Sequence, residues 1–258
     1  MKSSPNSPTN LTVGKQRSPS KVLVHCCQQV KVNIDNKRKA RAEDLSLKNV
    51  NTLMIEENKE CFSGFGFFDS PHPSAVPMPR AEIVINTNYI GTKNMVKAAI
   101  PFMRPSSEGV RIVLVSSRLG RLNGRRNRIA NVALRQQLED TESLSKDLID
   151  STMNKFLIQT KDGNWVNGGW PQNNTDYSLS KLAVNAYTRL TAKILAERPE
   201  GQRIYINCCC PGWVKTAMTG WAGLTPPEEG ADTAVWLALI RDQSISGKFF
   251  AERREINF

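Results

Sequence analysis

Two short apolar runs, residues 110–116 (Val-Arg-Ile-Val-Leu-Val-Ser) and 204–210 (Ile-Tyr-Ile-Asn-Cys-Cys-Cys), stand on either side of a helical stretch at 177–196. Such brief, β-branched runs with little polar alternation are characteristic of strands covered on both faces, which occur in parallel sheets. Parallel neighbours need a crossover, and the stretch between them supplies it: Leu182, Ala183, Ala186, Leu190 and Ile194 recur at helical spacing. A second helix is predicted over 88–103, with Met95, Val96, Ala99 and Ile100 on one face and a break around Pro105. Residues 247–252 give a final strand. Strands alternating with helices make this an α/β chain with a parallel sheet flanked by helices.

Between those elements, residues 121–170 form a long polar excursion with helical patterns at 131–139 and 143–160, the second stopped by Gly163. Thr225-Pro226-Pro227-Glu228 opens another helix, with Thr225 as the expected cap and Glu228 completing a capping box. The chain divides near residue 80. Residues 1–34 contain no Asp or Glu, and residues 1–20 are crowded with Ser, Pro, Asn and Thr, a disorder-like composition. Strand candidates at 21–24 and 30–34 follow, and 70–79 holds four prolines and reads as a loop. Residues 1–80 are thus an atypical, partly disordered region, and 81–258 carry the fold.

Composition removes several functions. The longest uninterrupted apolar run, 234–240, is far short of the roughly 20 residues of a membrane helix, so no membrane association is expected. The net charge of +11 is spread along the chain apart from short clusters such as Lys37-Arg38-Lys39, so no nucleic-acid partner is expected. Six cysteines and two histidines show no CxxC spacing, which leaves no metal site and no disulfide framework. Three consecutive cysteines in an apolar run fit buried thiols of a reducing compartment, and the start lacks a secretory signal, so a cytoplasmic location is expected.

The chemistry is concentrated at Tyr177-Ser178-Leu179-Ser180-Lys181. Residues four apart share a helix face, so phenol and ammonium project into one place. A free phenol has a pKa of about 10, and bringing it near 7 needs roughly 4 kcal/mol of preferential phenolate stabilisation. An ammonium about 5–6 Å away supplies roughly 3 kcal/mol at an effective dielectric near 20. Hydrogen bonds can provide the remainder. Taken alone, a Tyr-x-x-x-Lys spacing is common on helix surfaces. Its setting is more specific: Ser116-Ser117 ends the first buried strand, Cys210-Pro211-Gly212-Trp213-Val214-Lys215-Thr216 ends the next, and Asn88 opens the first strong helix. Open α/β sheets build their sites at such strand ends.

With these residues in order, the chain resembles the short-chain dehydrogenase/reductase family. More narrowly, it is similar to plant carbonyl reductases of the menthone and salutaridine reductase type. Gly169-Trp170-Pro171, Asn185-Ala186-Tyr187-Thr188-Arg189, Glu229-Gly230-Ala231 and Gly247-Lys248-Phe249-Phe250 carry that likeness, as does the long excursion before Tyr177. The resemblance covers 81–258 and implies a Rossmann-like sheet and NADPH-dependent reduction of a ketone or aldehyde. It implies Tyr177 as general acid, Ser117 as the carbonyl-polarising hydroxyl, and Lys181 as the group that lowers the phenol's pKa and holds the nicotinamide ribose. Asn88 would hold a relay water, Pro211 and Gly212 would shape the cofactor turn, and Val214 and Thr216 would contact the carboxamide. The resemblance also implies a monomer, because the long excursion covers the face on which relatives pair.

The same resemblance sets two departures. The family's glycine-rich TGxxxGxG turn, whose amides receive a pyrophosphate at a helix N-terminus, has only Gly64-Phe65-Gly66-Phe67-Phe68-Asp69 as a candidate, without a third glycine. The NNAG turn is missing as well. The nucleotide-binding half is therefore read as missing or degenerate, the chain as a truncated copy, and a non-catalytic remnant stands as the alternative function. The loss also predicts an exposed hydrophobic sheet edge. Trp165, Trp170 and Trp213 suggest an apolar substrate pocket.

Overall fold

The computed structural model describes residues 22–25, 78–104, 106–125 and 127–258. Their strands form one sheet in the order β1-β2-β3-β4-β5: β1 (Val22–His25), β2 (Val110–Val115), β3 (Ile204–Cys209), β4 (Phe249–Ala251) and β5 (Arg254–Glu255). The first four run parallel, and β5 turns back antiparallel on β4. The expected strands at 110–116, 204–210 and 247–252 are all present, and 21–24 corresponds to β1. The strand candidate at 30–34 and the glycine-turn candidate at 64–69 lie outside the described residues. The edge of β2 expected to lie bare is paired: Val22 stands beside Arg111 and His25 beside Leu114.

Helices cover both faces, as buried parallel strands require. Alternate residues of β2 serve opposite sides. Val110, Ile112 and Leu114 pack with Val184, Ala192 and Leu195 of α5 (Thr175–Ala196). Val113 joins Ala234, Leu237 and Ala238 of α6 (Pro227–Leu239). Each Leu or Ile sealed in this way contributes about 1.5–3 kcal/mol. The capping box expected at Thr225 does not form. Pro226 is the N-cap, and Thr225 instead pairs with Val214 in a parallel bridge.

The first helix begins about ten residues before its expected start. It runs as α1 (Met78–Ile85), a π-turn (Asn86–Ile90), α2 (Gly91–Ala99) and a closing 3-10 turn to Phe102. Pro79 sits in the first turn, where its missing N–H costs nothing, and Ala81, Ile85 and Tyr89 are buried one turn apart. The polar excursion folds into α3 (Val132–Glu139) and α4 (Lys146–Lys161), capped by Asn131 and Ser145. Gly163 ends α4 at φ +71°. Helix α4 lies on α1 and α5 and builds a separate core there from Ile149, Met153, Phe156, Trp165 and Trp170. Phe156 is fully buried, edge-on to Trp170 at 5.7 Å. Phe156→Ala is expected to cost about 3–5 kcal/mol, read as a lowered denaturant midpoint.

No helix among the described residues is long and apolar enough to cross a membrane.

Candidate active site

Strands β2 and β3 are parallel and in register to their ends, with Val115 beside Cys209, so the segments after both emerge at one edge of the sheet. The two serines after β2 take different roles. Ser116 is buried, and its hydroxyl donates to the Lys181 carbonyl at 3.3 Å. Ser117 is half-buried, and its oxygen accepts from the Leu119 amide at 3.2 Å, capping a short 3-10 turn. A hydroxyl that accepts still has its own proton to give, which is the property a carbonyl-polarising serine needs.

Helix α5 brings the phenol and the ammonium to the same edge. Lys181 is 5% exposed, its Nζ donates to the Val115 carbonyl at 3.0 Å, and it sits 5.6 Å from the centre of the Tyr177 ring. The cation is therefore anchored on the strand that leads into Ser117. The start of α5 is held from several sides. Thr175 donates to the Pro171 carbonyl at 2.7 Å, and Asp176 Oδ1 accepts from the Tyr177 amide at 2.8 Å. A carboxylate in the first turn also suits the helix dipole. Arg80 Nε lies 3.1 Å from Asp176 Oδ2, an ion pair off the axis of a hydrogen bond, so that oxygen carries none. Asn127 donates to Ser178 Oγ and accepts from the Asn173 amide, each at 2.9 Å. Tyr177 thus sits on a helix start with little freedom to move.

Asn88 lies on the π-turn, an irregularity that recurs at functional sites. Its amide donates to Ser180 Oγ at 3.0 Å, and that hydroxyl donates to the Tyr177 carbonyl at 2.7 Å. The structure thus joins Asn88 to the turn of α5 between Tyr177 and Lys181.

Four further residues shape the site without having been singled out as functional in the sequence: Ser116, Ser180, Gly120 and Asn185. A Cβ on Gly120 would lie 2.4 Å from the Lys181 carbonyl carbon and 2.6 Å from the Leu182 nitrogen. Only glycine allows the Ser117 turn to lie against α5 this closely. Asn185, 1% exposed, donates to the Gly120 carbonyl at 3.1 Å and accepts from Cys208 Sγ at 3.4 Å, tying turn, helix and β3 together. The available signal was a glycine three residues past a strand-end serine, and an asparagine on an otherwise apolar helix face.

The segment after β3 closes the edge. Gly212 is exposed and adopts φ +82°, presenting bare backbone beside Pro211. Val214 pairs with Thr225, and the Val214 carbonyl accepts from the Thr219 hydroxyl at 2.7 Å. The Thr216 amide donates to Thr219 Oγ1 at 3.2 Å. All the expected site residues that follow β2 and β3 or lie on α5 and the π-turn are thus placed around one sheet edge.

No family model matches the chain. Carbonyl reductase [NADPH] 1 of Mus musculus is 34% identical over 211 residues, covering 81% of this chain and 71% of the relative. The chain belongs to the carbonyl reductases of the short-chain dehydrogenase/reductase family. This is a family of oxidoreductases acting on carbonyl and alcohol groups. Among solved members, salutaridine reductase from Papaver somniferum is 34% identical with a TM-score of 0.60, covering 68% of this chain and 56% of that one. A menthone neomenthol reductase from Mentha piperita is 31% identical with a TM-score of 0.53, covering 67% and 51%. The chain therefore spans little more than half the length of these two reductases.

Trp165 and Trp170, expected to line a pocket, are 3% and 2% exposed and belong to the core beneath α4. Trp213 stays at the surface, 36% exposed on the segment after β3. The reacting end of a nicotinamide cofactor fits the residues present. A buried lysine stands beside a half-buried tyrosine, and after the neighbouring strand Gly212 is exposed at φ +82°, a backbone conformation that favours glycine. The segment considered for the pyrophosphate, 64–69, lies outside the described residues.

Proposed function

We propose that residues 81–258 form the catalytic part of an NADPH-dependent reductase that converts a ketone or aldehyde to an alcohol, with Asn88, Ser117, Tyr177 and Lys181 as its active residues. The observation that carries this reading is the Lys181 ammonium. It lies 5.6 Å from the Tyr177 ring while bonded to the last residue of the strand that delivers Ser117. When bound, NADPH supplies the hydride, and Lys181, Tyr177, Pro211, Gly212, Val214 and Thr216 would hold its nicotinamide end. Ser117 donates a hydrogen bond to the carbonyl oxygen, and Tyr177 gives that oxygen its phenolic proton. Lys181 stabilises the phenolate left behind, and Asn88 orders the route by which the proton is replaced from solvent. The preference for the 2′-phosphorylated cofactor is supported by the names of the mammalian relatives.

The plant reductase likeness supports a small carbonyl compound as substrate. Helix α4 lies over α1 and α5, which supports a monomer. The three buried cysteine thiols of β3 and its end support a reducing, cytoplasmic setting.

Thermal denaturation of the purified full chain with NADPH tests the reading. Cofactor at about 100 times its Kd adds roughly 2.7 kcal/mol, which for a chain of this size raises Tm by about 5–10 °C. An unchanged Tm at millimolar NADPH overturns the proposed activity of this chain and returns it to the non-catalytic alternative.

A further inference from the structure

The inserted helix α4 touches the candidate site through one cluster that the proposed reaction does not use. Tyr89, the neighbour of Asn88 within the π-turn, is fully buried and donates its hydroxyl to Asp150 Oδ1 at 2.6 Å. Lys93, in the first turn of α2, donates to both oxygens of the same carboxylate at 2.7 and 2.9 Å. Its ammonium also lies 4.9 Å from the Tyr89 ring centre. One carboxylate therefore grips the helix on both sides of the point where its register changes, once inside the π-turn and once just after it. A π-turn interrupts the regular i to i−4 ladder and persists only where its surroundings hold it.

We propose that Asp150 is a positioning residue, through which the inserted helix α4 locks the π-turn at Asn86–Ile90 and so fixes Asn88 against Ser180 in the catalytic turn of α5. The cluster is suited to that task. The side chains of Lys93 and Asp150 are only 15% and 27% exposed, so their charge-assisted bonds are shielded from water. Burial pushes the Tyr89 phenol well above its usual range, and the Asp150 bond adds to this, so Tyr89 remains a donor at every working pH. Burial raises the Asp150 carboxyl, but the hydrogen bonds from Lys93 and Tyr89 outweigh it and hold the group below its ordinary value, ionised and accepting. The long polar excursion thereby becomes part of the active-site support.

Hydrogen exchange on the full chain tests this without requiring turnover, so its outcome is separable from the fate of the proposed activity. Asp150→Ala is expected to speed exchange of backbone amides 86–93 by about 10-fold or more, with amides of β2 and β3 unchanged. Tyr89→Phe removes one hydroxyl, keeps the ring packing, and is expected to act in the same direction at the same amides. Asp150→Asn keeps an acceptor for Tyr89 and is expected to restore much of the protection. The kinetic arm rests on the proposed function: kcat falls about 10-fold in Asp150→Ala with KM for the carbonyl substrate nearly constant, and adding Asp150→Ala to Asn88→Ala lowers kcat little further. Unaltered exchange at 86–93 in both Asp150→Ala and Tyr89→Phe overturns the proposal. So does equal acceleration in β2 and β3, or kcat losses that multiply in the double variant.

Discussion

Under the proposed function, replacing Tyr177 with phenylalanine is expected to leave a folded protein whose kcat for carbonyl reduction is lower by about 10³-fold. The ring is half-buried at the start of a helix secured by Thr175, Asp176 and Asn127. Those contacts do not involve the phenolic oxygen. The variant removes the one group proposed to protonate the substrate oxygen, leaving Ser117 and the cofactor to act with water as acid. A kcat equal to the parent's would take Tyr177 out of the chemistry. A Tm lowered by more than a few degrees would show that the hydroxyl serves the fold instead.

Gly120→Ala is expected to damage both stability and rate, and by a different route. The added methyl meets backbone atoms of Lys181 and Leu182 at 2.4–2.7 Å, and a helix backbone packed on two cores cannot yield cheaply. Overpacking of this kind costs about 1–3 kcal/mol. The strain is relieved most readily by lifting the Ser117 turn away from α5. A displacement near 1 Å can cost about 100-fold in turnover, so kcat/KM is expected to fall by roughly that factor. Urea denaturation and steady-state kinetics on the same variant separate the two losses. Parental kinetics with lowered stability would show that the turn holds its place without this contact.

The two buried strands, the crossover helix and the proximity of Tyr177 to Lys181 were readable because each rests on local chemistry: a β-branched run, a 3.6-residue period, and a four-residue spacing. Ser117 and the segment from Pro211 to Thr216 were readable because strand ends are where such sheets expose backbone and hydroxyls. What escaped was tertiary. Nothing in the string of residues 78–87 announces that a prolyl first turn leads into a π-turn, because a π-turn depends on what grips it from outside. Ser180 and Asn185 read as ordinary polar members of a helix until their partners, 92 and 65 residues away, come into contact with them. Trp165 and Trp170 misled for the opposite reason. Large aromatic side chains suit a core and a binding pocket equally well, and only the placement of α4 decides between them. The cap expected at Thr225 was overridden by its bridge to Val214, a long-range pairing that no capping rule contains.

Helix α5 faces one core with Leu179, Leu182 and Ala183 and a second with Val184, Ala192 and Leu195. The stretch 179–184 therefore holds few apolar side chains that can be exchanged without disturbing one of them. The segment past β3 is constrained quite differently, with Met218, Trp221 and Leu224 51%, 63% and 85% exposed. Mutational drift is thus channelled towards the outer segment, where the exposed side chains of Met218, Trp221 and Leu224 can change without opening a core. A substitution scan is expected to find changes tolerated more often at 218, 221 and 224 than at 179, 182, 183 and 184.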